Sequence, residues 1–176
     1  MVGCLGVMKF NDCFELEKNS IPCWNSYYKK IFEVKKITDV RNNNDGYDIE
    51  ITTKNNNIFK IDEKTRNINY FTLFQNDNKI LIETCGNLEL DKKGSSIFTS
   101  IADYWAYGWF NGEEIINPII FRRKPISIYI KKNKHLLVHK ISNTDELYHT
   151  ENVLVDYNII EKYKINEKEN RLVFWL

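Results

Sequence analysis

The chain has 176 residues, 43% of them hydrophobic and 28% charged, with a net charge of +1. That is one domain's worth of sequence, able to bury a sizeable core and too apolar to stay disordered. No apolar run approaches the roughly 20 residues that cross a bilayer, and Met1–Phe10 lacks the charged start and long apolar stretch of a signal peptide.

In chain order, residues 10–33 read as mainly helical but interrupted at Pro22, which removes a helical hydrogen bond. Within them Trp24, Tyr27, Tyr28 and Ile31 form one apolar stripe. The period then changes to two: Tyr47–Lys54 and Ile58–Lys64 alternate, and Asn55-Asn56-Asn57 between them suits a turn, so a hairpin is expected. Lys79–Cys85 reads as a more buried strand. Ser100 is placed to cap a helix over Ile101–Tyr107 that Gly108 would stop. Further strands are expected at Ile115–Arg122, Ile126–Lys131, Leu136–Ile141, Val153–Tyr157 and Leu172–Leu176. The order gives an α+β or mixed α/β fold, one domain over residues 1–176 built around one sheet.

The hairpin brings charged residues together. A three-residue loop at Asn55–Asn57 sets Glu50 against Asp62 and Asp48 against Lys64. Asp48, Glu50, Asp62 and Lys64 then share one face, and Ile49, Ile51, Phe59 and Ile61 share the other, which turns to the core. A slip of one residue would mix the two sets, which burial forbids. Two carboxylates and an ammonium on one face form a set that holds a hard divalent cation and places a positive charge beside it. Acid-x-Lys also occurs at Glu33-Val34-Lys35 and Asp91-Lys92-Lys93. By itself, then, Asp62-Glu63-Lys64 reads equally as a solvated strand end with an ion pair worth under about 1 kcal/mol.

Four segments taken together resemble the PD-(D/E)XK nuclease superfamily, in particular its phage-type and uncharacterised members. They are Gly46-Tyr47-Asp48, the strand ending in Asp62-Glu63-Lys64, the Glu83 strand Leu81-Ile82-Glu83-Thr84, and Thr99-Ser100-Ile101-Ala102-Asp103-Tyr104. The likeness spans roughly residues 24–122 and implies a restriction-endonuclease-like fold, a central mixed sheet flanked by helices, here with extra C-terminal strands. It implies that Asp48 and Asp62, with the backbone of Glu63, hold Mg²⁺ or Mn²⁺, and that Lys64 assists the attacking water. Glu50 and Glu83 are additional candidates. A further acid is expected from the first helix, but Trp24–Phe32 holds none, and Glu15 and Glu17 lie beyond the break at Pro22. Thr65 and Arg66, after the lysine, also depart from the pattern.

The activity so implied is metal-dependent hydrolysis of DNA, with a homodimer as the arrangement that would cut two strands. The rival is an inactive nuclease-fold protein that binds or inhibits, such as a phage or immunity factor, and the near-neutral charge favours it. Arg122, Arg123 and Lys124, ending a strand before Pro125, are the candidate phosphate contacts. The groups Lys29, Lys30, Lys35, Lys36 and Lys131, Lys132, Lys134 read as solvated faces. His135 and His139 stand too far apart on a strand to share a metal. Tyr104, Trp105, Tyr107 and Trp109 read as core before they read as a stacking surface for bases, and Cys85 as a small core residue. Cys4, Cys13, Cys23 and Cys85 show no C-x-x-C spacing, so reduced thiols and a cytoplasmic location are expected.

Overall fold

The computed structural model describes residues 10–41, 46–85, 97–145 and 148–165. The fold is α+β. Helix α1 (Phe10–Ile31) leads into a meander of β1 (Val34–Asp39), β2 (Ile49–Thr53) and β3 (Ile58–Asn67). Next come α2 (Phe71–Asp77), β4 (Lys79–Cys85), β5 (Tyr104–Phe110), β6 (Ile115–Arg122) and α3 (Arg123–Asn133). The chain continues through β7 (Val138–Asp145), β8 (Tyr148–Asp156) and α4 (Tyr157–Glu161). The strands form two sheets rather than the one expected: a five-stranded sheet β1-β2-β3-β5-β6 and a three-stranded sheet β4-β8-β7. The first is mixed, since β3 and β5 run parallel while the other neighbours are antiparallel.

Helix α1 runs unbroken through Pro22, contrary to expectation. Ser20, Trp24 and Tyr28 recur at i, i+4 and i+8 and are all fully buried against the sheet. They anchor the helix on both sides of the proline. Pro22 itself is exposed, so the carbonyl it leaves without a helical donor faces the water side, the cheapest place to lose that bond.

The hairpin forms, with its loop one residue earlier than expected. Asn56 N–H donates to the Thr53 carbonyl at 2.9 Å and Thr53 N–H to the Asn57 carbonyl at 2.9 Å, enclosing Lys54–Asn56. Asn56 takes the left-handed conformation (φ 61°) that this loop class needs in its last position. Ile49 therefore pairs with Ile61 and Glu50 with Lys60. The register is shifted by two from the expected one, so every side chain keeps its face while its partner changes.

Two expected elements are wrong. Residues 104–110 are not helix but β5, a central strand buried along almost its whole length. Tyr-Trp-Ala-Tyr-Gly-Trp-Phe is a run of strand-favouring residues flanked by strands on both sides, the pattern of a doubly covered strand. Ser100 caps no helix; its hydroxyl donates to the Gly46 carbonyl and accepts from Ala102 N–H. Residues 126–131, expected as strand, lie in α3, where Ile126 and Ile130 bury one turn apart. Alternating isoleucines at 126, 128 and 130 mimic a strand, but Ile128 is exposed. Leu136 falls in a short 3₁₀ turn, and β7 begins at Val138. The expected strand at Leu172–Leu176 lies outside the described residues.

The five-stranded sheet has a core on each face. Toward α1 lie Trp24, Tyr28, Phe32, Ile49, Ile51, Ile61, Ala106 and Ile120. On the opposite face Trp105, Tyr107, Trp109, Ile119 and Phe121 pack with Ile126 and Ile130 of α3 and with Ile80, Ile82, Val153 and Val155 of the smaller sheet. Gly108 lets α1 approach β5: a Cβ there would stand 2.4 Å from Ile115 Cγ2 and 3.3 Å from the Trp24 ring. Among the described residues no helix is long and apolar enough to cross a membrane.

Candidate metal and nuclease site

Asp48, Asp62 and Lys64 do share a face of the sheet. One step beyond the Ile49–Ile61 pair, the register sets Asp48 opposite Asp62, where the sequence reading set it opposite Lys64. The chain is held there by Asp48 N–H donating to the Ile61 carbonyl (2.9 Å) and Val40 N–H to the Asp48 carbonyl (2.8 Å). Glu63 N–H donates to Asp48 Oδ2 at 2.7 Å, which aims this carboxylate at the Asp62 segment.

This face is not the open surface that alternation alone suggests. Asp62 is 1% exposed. Its Oδ1 takes Lys64 Nζ at 2.9 Å, while Oδ2 is buried and among the described residues has no donor beyond a proton that the two carboxyls, Asp62 and Asp48, can share. Burial first, and the Asp48 carboxylate next to it, push Asp62 up to about 7, and the Lys64 ammonium only partly offsets that push. Lys64 lies over the Trp105 ring, 5.2 Å from its centroid. Burial works against its charge, but Asp62, Glu83 and Asp48 outweigh burial and hold it protonated beyond the ordinary lysine range. Three carboxylates thus act on one ammonium, while Arg41 lies in the field of Asp48 and Arg123 in that of Asp62.

Glu83 belongs to β4, in the other sheet, where it pairs with Asn152, and it reaches the site through its field on Lys64. Glu50 sits opposite Lys60 and accepts a long 3.4 Å bond from Tyr47 O–H, farther along the hairpin. Glu63 contributes only its backbone. Its side chain crosses to the α1 face, accepting from Tyr28 O–H at 2.6 Å and pairing with the Arg41 guanidinium, which also binds Asp39. Burial drives Glu63 up to about 7 as well, opposed by Arg41 and Tyr28.

Helix α1 packs on the other face of the sheet, and the field of its Glu17 carboxyl extends to Lys64 and Asp48. Glu17 lies one turn before Ser20, whose hydroxyl meets Thr65 Oγ1 at 3.2 Å. The surrounding protein raises the pKa of its carboxyl; Lys64, Arg41 and Arg66 lower it and Asp48 raises it further. Glu17 still has solvent on one side and stands at the rim. The signal was readable: Ser20 continues the Trp24–Tyr28 stripe backward by one turn, and Glu17 by nearly another. Arg41 and Tyr28 carried no such signal.

Among the described residues no three His, Cys, Asp or Glu side chains form a ready-made metal cage. A divalent ion of the magnesium type needs less than that, since it is commonly held by one or two carboxylates and keeps several waters. An ionisable oxygen buried without an N–H donor, next to a second carboxylate, fits such an ion.

The remaining candidates fall elsewhere. Arg122 and Lys124 are exposed at the start of α3, whereas Arg123 donates to the carbonyls of Ala102 and Ile97 at 2.8 Å each, bracing the entry to β5. Trp105, Tyr107 and Trp109 are buried core, with no face open to a base. His139 bridges Glu151 Oε1 (2.9 Å) and the Lys134 carbonyl (3.0 Å). Cys85 is only half-buried. A concavity of ≈ 360 Å³ between α1 and β1, lined by Asn25, Lys29, Val34, Lys35, Lys36 and Ile37, includes none of the acids. No family model matches the chain, and no curated protein or solved structure matches it significantly.

Proposed function

We propose that the chain is a Mg²⁺- or Mn²⁺-dependent nuclease that hydrolyses phosphodiester bonds of nucleic acid, DNA in the first instance. The observation that carries this reading is Asp62 Oδ2, buried opposite the Asp48 carboxylate with no N–H donor among the described residues, and with Lys64 2.9 Å from the other oxygen. Asp48 and Asp62 would hold the ion, with the backbone of Glu63 beside them and Glu17 as the acid from the first helix. When bound, the ion would supply a water of lowered pKa and polarise the phosphate. Lys64 stays protonated, so its part is to orient the nucleophile and offset charge on the phosphate, not to act as a base. Asp62 is ionised only in part near pH 7 and becomes fully so when a cation arrives.

The mixed sheet with α1 packed on one face and α3 on the other supports the restriction-endonuclease-like reading of the quoted motifs. In the test, Asp62→Ala loses divalent-dependent cleavage of plasmid DNA while its circular dichroism spectrum is retained. Equal cleavage by the variant sinks the assignment.

One observation favours a second reading. Lys64 already forms an ion pair with Asp62, and the described residues hold no cage of three ligands, as a non-catalytic binding or inhibitory protein on this scaffold would have. Calorimetric titration with Mn²⁺ separates the two, since a degenerate site gives no heat and no thermal shift.

A further inference from the structure

The concavity between α1 and β1 has a wall chemistry that the metal site does not use. Its ≈ 360 Å³ are lined by Asn25 and Lys29 of α1 and by Val34, Lys35, Lys36 and Ile37 of β1. Half of that wall is ammonium groups, and no acid belongs to it. A lysine-rich surface is ordinarily a solvated face with carboxylates interspersed. Here the described residues supply none: their ion pairs include neither Lys29, Lys35 nor Lys36. Glu33 is the one acid between Asn25 and Thr38, and it does not line the concavity. The whole chain carries only +1, so the charge of these lysines and Lys30 beside them leaves the remainder net negative.

Two contacts set this wall apart from a crowd of solvated side chains. Lys35 Nζ donates to Asn56 Oδ1 at 2.7 Å, a neutral acceptor in the β2–β3 loop that places the ammonium without cancelling its charge. The Asn25 amide oxygen is buried with no donor among the described residues, a polar group that an N–H or O–H arriving with a ligand would satisfy. The dipole of α1 favours a lysine at position 29, in its last turn. It gives no reason for Lys35 and Lys36, which stand in a strand. Ammonium groups gathered around one small concavity repel one another until an anion of more than one charge enters. A carboxylate side chain brings a single charge. A terminal phosphate brings about −2 with three acceptor oxygens, and a nucleic-acid strand brings its charges in series; lysine serves phosphate as a point charge. We propose that this concavity is a phosphate-binding subsite, which takes the phosphate of a nucleic-acid strand or of a free nucleotide. Neither Asp48 nor Asp62 lines it, so the subsite can fail while the metal reading holds, and the reverse.

Binding is measured on the whole chain in EDTA, so that a metal plays no part. The probes are pyrophosphate, thymidine monophosphate and a short fluorescein-labelled oligothymidine. Wild type is compared with Lys29→Gln/Lys36→Gln and with the control Lys132→Gln/Lys140→Gln in α3 and β7. All four lysines are exposed, and circular dichroism checks the folding of both variants. Calorimetry should show pyrophosphate bound by wild type and control alike and about tenfold more weakly by Lys29→Gln/Lys36→Gln. For the oligonucleotide, the slope of log K against log salt should fall by roughly 0.7 for each lysine removed from the wall. Tighter binding of the oligonucleotide than of thymidine monophosphate assigns the strand as the source of the phosphate, and equal binding assigns the free nucleotide. The proposal is overturned if wild type binds none of the probes. An equal loss in the control overturns it too, since a diffuse positive field would then explain the binding.

Discussion

Asp62 and Glu63 are neighbours in β3 that point to opposite faces of one sheet, and nearly everything about them matches except their partners. They are 1% and 6% exposed, and burial brings both to about 7. Glu63 is served completely, one oxygen by Tyr28 and the other by Arg41. Asp62 has Lys64 on one oxygen and, among the described residues, only a second carboxyl, Asp48, beside the other. Burial and a raised pKa therefore do not separate a carboxylate that holds a fold together from one that awaits a ligand. Satisfaction of its oxygens does.

The largest expected effect tests that contrast directly. Glu63→Ala leaves the Tyr28 hydroxyl buried without an acceptor and removes the buried partner of Arg41. The chain should lose about 3–5 kcal/mol, the typical result of breaking a buried pair from one side, as read by urea denaturation without metal. Asp62→Asn also removes a buried charge but relieves the opposition of Asp48, and Lys64 keeps Asp48 and Glu83 in reach. Its stability should stay within about 1 kcal/mol of wild type. Should Asp62→Asn prove as damaging as Glu63→Ala, Asp62 is structural and the metal site loses its foundation.

A second way to sharpen the comparison is pH. Both carboxyls have folded-state pKa values raised to about 7 from the ordinary carboxylate range. The folded chain thus holds these protons more tightly than the unfolded one. Their contribution to stability is complete below pH about 4, falls as pH rises through about 7, and is level above that. Mn²⁺ selects ionised Asp62 but leaves Glu63 untouched. At pH 6 metal uptake should release protons, and saturating metal should remove the Asp62 share of the slope and keep that of Glu63. Calorimetry in two buffers of different ionisation heat measures the release. Uptake at pH 6 with no proton released would break the link between the shift and the site.

The sequence and the structure agree where one periodicity dominates. The β2–β3 hairpin carries Ile49, Ile51, Phe59 and Ile61 at alternate positions, so the face of each acid is legible although the register is off by two. The register itself depended on which Asn adopts the left-handed turn, and three in a row gave no way to choose among them. β5 was misread because its seven residues are buried from both sides, which erases alternation and leaves only composition. α3 was misread because three isoleucines alternate by coincidence, and only the packing of Ile126 and Ile130 shows the helical period. The Arg41–Glu63–Tyr28 network joins three separate elements, and no local pattern could bring them together.

The smallest expected effect concerns the rim. A proline in mid-helix predicts that Glu17 is cut off from the site, but burial of Ser20, Trp24 and Tyr28 carries α1 past it, and the fields of Lys64 and Asp48 act on Glu17. If it is the third acid, Glu17→Gln should weaken Mn²⁺ uptake by about tenfold, the cost of one lost charge–ion contact of about 1.4 kcal/mol. Urea stability should change by no more than about 0.5 kcal/mol, because the side chain meets solvent. Glu15→Gln, two residues away on another side of the helix, serves as the control for net charge. If both variants weaken uptake alike, α1 adds only a diffuse field; if Glu17→Gln alone does so, the helix supplies a ligand across its own proline.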